Sequence, residues 1–487
     1  MFGLAMNAGS YGATDRGGIA ISAWWLVILG IALAFLPLRR PTRQSLVVAA
    51  LLAAFAVWTG LSMVWAESDE RAFAELNRVT LYLGIFTLVL LASDRVHLRR
   101  WIYGLAVGIA AIGLVALTSR LFPGVFPAGD IPRFLPSAVT RLSYPLGYWN
   151  ALAIFAGLGF PLLVSAALTA RSRLGRGLAL APLPALAAVI YLTSSRGGVG
   201  AMIVGLVALV AFARERLAAL GAIVFAAAGS AGAVAVLLGR LELVNGPLDS
   251  PAAASQGRSA AVLIALICVA VGVAFGILGG VVRRPVTVGP RLRMAAAAAA
   301  AVVAVALVAG VVAVDPAQSF ETFKQPPAGS TLAQRDFVRA HLLSGSGSGR
   351  WQFWGAAIDQ LEAAPLIGQG AGSYEAFWAR NAPFAFFVRD AHSLYLETLG
   401  ELGAVGLLLL AAALGFSLVT AVRRLPRQPG DDRLALAALA AVLVGWVFAT
   451  AIDWMWEMTA VTAVTMACLA LVTGPATALG PAAGRSA

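Results

Sequence analysis

Charge is what this chain has least of. Only 12% of its 487 residues are charged and 60% are hydrophobic, against the roughly 25% charge usual in a soluble domain. That shortage excludes a soluble globular protein, because even a large core leaves a surface that polar groups must cover. Mean hydropathy is +0.85, and lipid is the expected solvent. Lys324 is the only lysine, so positive charge is carried by arginine. The two cysteines, Cys268 and Cys468, lie inside apolar runs, which excludes a disulfide framework and a cysteine metal site. No Asp-x-Asp metal motif is present. The glycines at 368, 370 and 372 are not followed by Gly-Lys-Ser/Thr, so no nucleotide-binding loop is expected. A basic segment is missing before the first apolar run, and no cleavable signal peptide is expected.

What the chain has in abundance is apolar sequence. Runs of about 20 residues recur, each long enough to cross about 30 Å of hydrocarbon as a helix. Thirteen spans are read, near 19–38, 45–66, 79–93, 101–121, 148–170, 178–194, 197–213, 217–238, 259–281, 294–314, 392–422, 434–452 and 459–474. The expected fold is all-α, a polytopic bundle of 12–13 transmembrane helices with one large extracytoplasmic loop. It divides into N-terminal helices over 1–314, the loop over 315–391, and C-terminal helices with a tail over 392–487, forming one integral membrane domain. The net charge of +12 does not point to nucleic acid, because the arginines cluster in short loops between spans. Those at 39–44, 94–100, 171–177, 214–216, 282–293, 423–433 and the C-terminal tail hold 20 of the 35 basic residues and 4 of the 23 acidic ones. The positive-inside rule places them in the cytoplasm, with the N-terminus outside and the C-terminus inside.

Two outer segments exceed simple turns, and long loops in compact proteins tend to carry function. One is 122–147, rich in proline and leading into Arg141-Leu-Ser-Tyr-Pro-Leu-Gly-Tyr-Trp-Asn150. The other is 315–391. In its middle, Ser344-Gly-Ser-Gly-Ser-Gly349 reads as a flexible joint. Beyond the joint, Trp351, Trp354, Ala357 and Leu361 recur at helical spacing, predicting an amphipathic helix over 350–363 that Pro365 ends. Gly368, Gly370 and Gly372 then predict a tight turn.

Ionisable groups at membrane depth are costly and are candidates for function. Arg196 follows Ser194-Ser195 between two apolar runs. It fits an arginine snorkelling to headgroups or an anion clamp, since a guanidinium presents five donors in a fork suited to phosphate. His392 falls where the loop becomes a helix, beside Arg389 and Asp390, as a helix-start residue or as a base for an acceptor hydroxyl. Glu397 and Glu401 share one helix face. They fit a pair that orients the histidine, a sugar-hydroxyl site, or a helix–helix contact. Tyr144, Tyr148, Trp149, Trp351, Trp354, Tyr374, Phe377, Trp378, Trp454 and Trp456 gather at outer helix ends. They suit an interfacial belt or a stacking path for glycans.

His392-Ser393, nine residues, Gly403, two residues and Gly406 together match the His-[Asn/Ser/Gln]-x9-Gly-x-x-[Gly/Thr/Tyr] pattern of the O-antigen ligases. Arg350-Trp-Gln-Phe-Trp354 with Pro365-Leu-Ile-Gly-Gln-Gly-Ala-Gly-Ser-Tyr374 resembles the outer-loop signature of the O-antigen ligase/polymerase superfamily. Ser195-Arg196-Gly197 resembles its arginine motif, although the ligase pattern Arg-x-x-x-Leu here reads Arg196-Gly-Gly-Val-Gly200. The family commonly has twelve spans. The resemblance is strongest over 140–410. It implies a metal-independent, cofactor-free, inverting glycosyltransferase at the outer face of the cell membrane. The implied donor is a glycan on undecaprenyl diphosphate, and the acceptor is a glycan, lipid or protein. Arg196 and Arg350 would hold the departing diphosphate, and His392 would orient or deprotonate the acceptor hydroxyl. Arg141, Arg389, Glu397, Glu401, Tyr148, Trp149 and Tyr374 would contact substrate. The competing class is a transporter or flippase for a lipid-linked saccharide, which predicts polar or broken helices at the midplane.

Overall fold

The computed structural model describes residues 2–37, 40–126, 140–282, 315–327 and 337–478. Among these there is no strand, as expected where each backbone polar group must be satisfied within its own segment. After a short α1 (Phe2–Met6) come α2 (Ala13–Ala32), α3 (Arg43–Leu61), α4 (Asp69–Ala92), α5 (Leu98–Leu121), α6 (Trp149–Thr169), α7 (Arg173–Leu180), α8 (Leu183–Thr193), α9 (Arg196–Phe212), α10 (Arg216–Leu238), α11 (Leu241–Asn245) and α12 (Pro251–Val282). The loop region holds α13 (Pro316–Lys324), α14 (Phe337–Leu343), α15 (Arg350–Ala363) and α16 (Tyr374–Asn381). The chain closes with α17 (Leu394–Arg424), α18 (Gly430–Ile452) and α19 (Thr459–Thr473). Ten spans among the described residues are long and apolar enough to cross a membrane, and α9 and α19 are shorter apolar helices. The fold is a polytopic helical membrane bundle. Twelve of the thirteen expected spans have a helix, and the span 294–314 lies outside the described residues.

The core is built on small residues. All of α6 after Trp149 is buried, and it packs against α9, α18, α5 and α8. A Cβ on Gly198 of α9 would sit 2.3 Å from Ala153 Cβ. One on Gly445 of α18 would sit 3.0 Å from Ala201 O. In lipid, helix association depends on such close packing rather than on apolar transfer. The outward faces carry Ile21, Trp25, Val57, Val107, Val224 and Leu266, all exposed, as lipid contact requires.

Helix ends differ from the hydropathy reading where polar groups find partners. α4 begins ten residues before the expected span at 79. Ser68 accepts the Arg71 N–H as its cap, and Arg78 is paired with Glu75 and with Glu457 at 3.0 Å. α15 has the expected bounds but a different buried face. Phe353, Ala356, Ala357 and Gln360 face inward, while Trp351 stays exposed with its edge toward Phe320 at 5.6 Å. The inward stripe meets α17 at Gly400, where a Cβ would lie 2.7 Å from Gln360 Oε1. A small second core of Phe353, Tyr374, Trp378 and Val388 holds the loop helices together.

The glycine turn after Pro365 is present and has a structural task. Gly368, Gly370 and Gly372 all have positive φ, a conformation that costs glycine nothing. α17 is broken at Gly403 (φ 66°, ψ −168°), and the turn repairs the break. Ala404 N donates to Pro365 O at 2.9 Å and Val405 N to Leu366 O at 3.2 Å. Gln369 N and Gly370 N donate to Gly400 O and Glu401 O. Trp58 Nε1 takes the Leu402 carbonyl at 3.0 Å. Helical hydrogen bonds lost at the break are thus replaced by tertiary ones, as buried backbone groups require.

Candidate active site

Three chain breaks meet at one end of the bundle. α8 stops at Thr193, Ser194 takes a left-handed φ of 52°, and Ser195 caps α9 through Gly198 N, which leaves Arg196 as the first helical residue. α18 stops at Ile452 and delivers Asp453. α15 starts at Arg350 after Gly349 (φ 87°).

Arg196 donates to Ser344 O and, at 2.6 Å, to Ser346 O. Both carbonyls belong to the serine-glycine joint. Arg350 Nε donates to Ile452 O at 2.7 Å and its Nη2 to Asp453 Oδ2 at 2.8 Å. Arg141 is buried. Its Nε donates to Thr193 O at 2.7 Å, and its Nη2 to Ser194 O and Asn150 Oδ1. Its guanidinium lies 4.5 Å from the Trp149 ring centroid. Arg141 thereby ties down the α8 end that sets Arg196. The charges of Arg196 and Arg350 both act on Arg141. Asp453 pairs with Arg350 and its charge bears on Arg141, and with Arg196 also near Arg350 the region favours an anion.

Asp453 is fully engaged. Besides Arg350 it accepts Tyr148 Oη at 2.9 Å, Asn150 Nδ2 at 2.7 Å and its neighbour Trp454 N at 3.0 Å. Trp454 stacks on Tyr148 with centroids 4.2 Å apart and planes at 19°. We expect Asp453→Asn to lower stability by about 1–3 kcal/mol, because an amide donor would face Asn150 or Arg350 without a partner. Thermal unfolding in detergent checks this, and an unchanged midpoint would show the network to be unimportant.

His392 stands beside this network, its ring 5.2 Å from Phe353 and 6.3 Å from Trp454. The Nδ1–H donates to Asp390 O at 3.0 Å, which fixes the tautomer and leaves Nε2 with its lone pair. Burial pushes the imidazole down to about 4, with Asp453 opposing and Arg350 adding to the shift. The ring is therefore neutral at physiological pH. Its backbone is left-handed, φ 57°. That conformation is held from both sides: Trp354 Nε1 donates to His392 O, and Glu397 Oε2 accepts Ala391 N at 2.6 Å.

The structure thus gathers Arg141, Tyr148, Trp149, Arg196, Arg350 and His392 into one region. The other four sequence candidates sit in the surrounding scaffold. Glu401 accepts Gly372 N at 2.8 Å and Tyr374 N at 2.9 Å, fastening the glycine turn. Tyr374 is fully buried and its hydroxyl donates to Phe353 O. Arg389 is half exposed, bonded to Glu375 at 3.1 Å and to Tyr11 Oη at 3.2 Å. Glu397 acts on the loop before His392. Asp453 and Asn150 were not singled out from the sequence. The signal for Asp453 was there: with Glu457, it interrupts two apolar runs at a helix end, where an unpaired charge is costly.

A second group of acids lies nearby. Carboxylate oxygens of Asp390, Glu397 and Glu457 fall within 4.8 Å of one another, which is ligand spacing for a cation. Glu75, Glu397, Glu401 and Glu457 line a common cavity. Burial pushes the Glu457 carboxyl well above its usual range and Asp390 to about 7. Arg78 already bonds Glu75 and Glu457, so a resident guanidinium supplies positive charge to this cluster.

Comparison with known families finds a match over residues 251–411, about a third of the chain, to the family described as O-Antigen ligase. The matched segment contains Arg350, His392, Glu397, Glu401 and Gly403. Arg141, Arg196 and Asp453 lie outside it. The match bears out the resemblance carried by the histidine-glycine pattern and the loop signature. No curated protein matches the chain.

Proposed function

We propose that this chain, whose residues 251–411 match the O-antigen ligase family, is a membrane glycosyltransferase of surface polysaccharide assembly. It moves a glycan from undecaprenyl diphosphate to an acceptor hydroxyl at the outer face of the cell membrane. One observation carries the reading: Arg196, Arg350 and a neutral His392 are mounted on neighbouring helix ends, with the Arg350–Asp453 pair acting on the histidine. Transfer of a diphosphate-linked glycan needs positive charge at the leaving group and a base at the incoming hydroxyl. These side chains supply both.

The step runs as an inverting displacement. The acceptor oxygen bonds to the anomeric carbon as the bond from that carbon to the diphosphate oxygen breaks. His392 Nε2 takes the hydroxyl proton, and the electron pair leaves with the lipid diphosphate. Arg196 and Arg350, fixed before substrate arrives, stabilise that developing charge without reorganisation cost. Their forks supply the charge for which other glycosyltransferases use a cation, so metal independence follows as part of the proposal. The candidate groups sit at helix ends, which supports transfer over transport.

Arg196→Ala tests the proposal in the native host. Losing one such donor should slow transfer by about 10²–10³-fold, and lipid-linked saccharide should accumulate on a size-resolving gel. Single repeats on the carrier would identify a polymerase; long chains that fail to reach an acceptor would identify a ligase. A wild-type glycan pattern with normally inserted Arg196→Ala protein would overturn it.

A further inference from the structure

His341 has no part in the reaction just described, yet it is mounted on the same hardware. Its α14 is pinned at Val338, whose carbonyl accepts Ser194 Oγ at 3.0 Å and whose N–H donates to Asn245 Oδ1 at 3.0 Å. The His341 carbonyl accepts Ser344 N, and Ser344 in turn gives its own carbonyl to Arg196. The imidazole lies flat against Phe337, centroids 5.5 Å apart and planes at 17°. Burial, and then the charges of Arg141, Arg196 and Arg350, push it down to about 3. The histidine is thus close enough to feel all three guanidiniums and stays uncharged among them. Among the described residues, the hydrogen bond that His341 makes to the joint runs through its backbone carbonyl.

A neutral imidazole offers one N–H donor and one nitrogen acceptor, whereas a guanidinium only donates. Diphosphate oxygens only accept and are served by the arginines. A sugar hydroxyl both donates and accepts, which is the pairing that His341 adds beside the arginines. We propose that His341 binds a hydroxyl of the sugar attached directly to the lipid diphosphate, and so helps to select the donor. This rests on the glycosyltransferase reading of the site.

The test uses purified full-length protein and two ligands, undecaprenyl diphosphate bare and bearing its saccharide. His341→Phe keeps a flat ring on Phe337 but removes both nitrogens, and His341→Asn returns a donor and an acceptor. His341→Phe should weaken binding of the saccharide-bearing lipid about tenfold, as for one lost hydrogen bond, leave the bare lipid unchanged, and regain affinity as Asn. In turnover, the KM for donor should rise with little change in kcat. Equal affinities for wild type and His341→Phe would leave the ring a packing element and overturn the proposal. So would equal weakening toward both lipids, which marks a structural role. Because binding is read separately from turnover, a wild-type protein that binds but does not transfer would sink the glycosyltransferase reading alone.

Discussion

His392→Asn is expected to lower glycan transfer by about 10²–10⁴-fold, the range for a lost general base, while the protein inserts and melts as wild type does. Asparagine is the better probe than alanine. Residue 392 has φ 57°, a left-handed conformation that asparagine tolerates and alanine resists by about 1–2 kcal/mol. The pH profile gives a second, independent reading. The His392 pKa lies near 4 rather than at its ordinary value because burial penalises the cation. The base is the neutral form, so it is fully available at neutral pH and is lost only as pH falls through about 4. kcat/KM should therefore show no acid limb from this residue between pH 8 and 5.5. An acid limb centred near the ordinary histidine value, absent from His392→Asn, would mean that the ring is solvated and the pocket open. Wild-type rates in His392→Asn would remove the base from the mechanism altogether.

How far the sequence reached can be seen in single residues. The spans were legible because lipid permits only long apolar helices. Their ends were not legible where a charge buried in one helix is paid for by a distant partner. Arg78 sits inside α4 because Glu457, 379 positions away, accepts it. Arg196 and His392, at helix ends, could be read from residue type and position, whereas Arg350 came only through the resemblance of the loop signature. The spacing of Glu397 and Glu401 was also readable, but their tasks were not. Their partners, Ala391 N, Gly372 N and Tyr374 N, are backbone groups that only the folded loop presents. Asp453 needed Arg350 and Tyr148, 103 and 305 positions away, before its role as a shared counterion was visible. The buried face of α15 does not follow its aromatic spacing for a related reason: which stripe is buried depends on where α17 approaches, at Gly400.

Gly403→Ala is expected to cost about 3–5 kcal/mol, from a strained backbone together with an overpacked contact. The histidine-glycine pattern that ties His392 to Gly403 has a backbone explanation. At φ 66° and ψ −168°, Gly403 occupies a region essentially closed to other residues. A Cβ there would lie 2.3 Å from the carbonyl carbon and oxygen of Leu366 and 2.5 Å from Ile367 N. All three are backbone atoms of the turn that repairs the break in α17, so no side chain can swing aside. Relief would push the turn away and loosen the hydrogen bonds from Ala404 to Pro365 and from Gly370 to Glu401. Glu401 holds Gly372 and Tyr374, and Glu397 one turn earlier holds the residue before His392. The damage should therefore reach the active site as well as the melting temperature. Gly415 in the same helix is the control. A Cβ there meets nothing within 4 Å, and Gly415→Ala should be neutral or stabilising by about 1 kcal/mol through helix propensity. Thermal unfolding of both variants in detergent separates the cases. Matching midpoints would mean that the turn adapts freely and that the motif glycine answers to something other than backbone geometry.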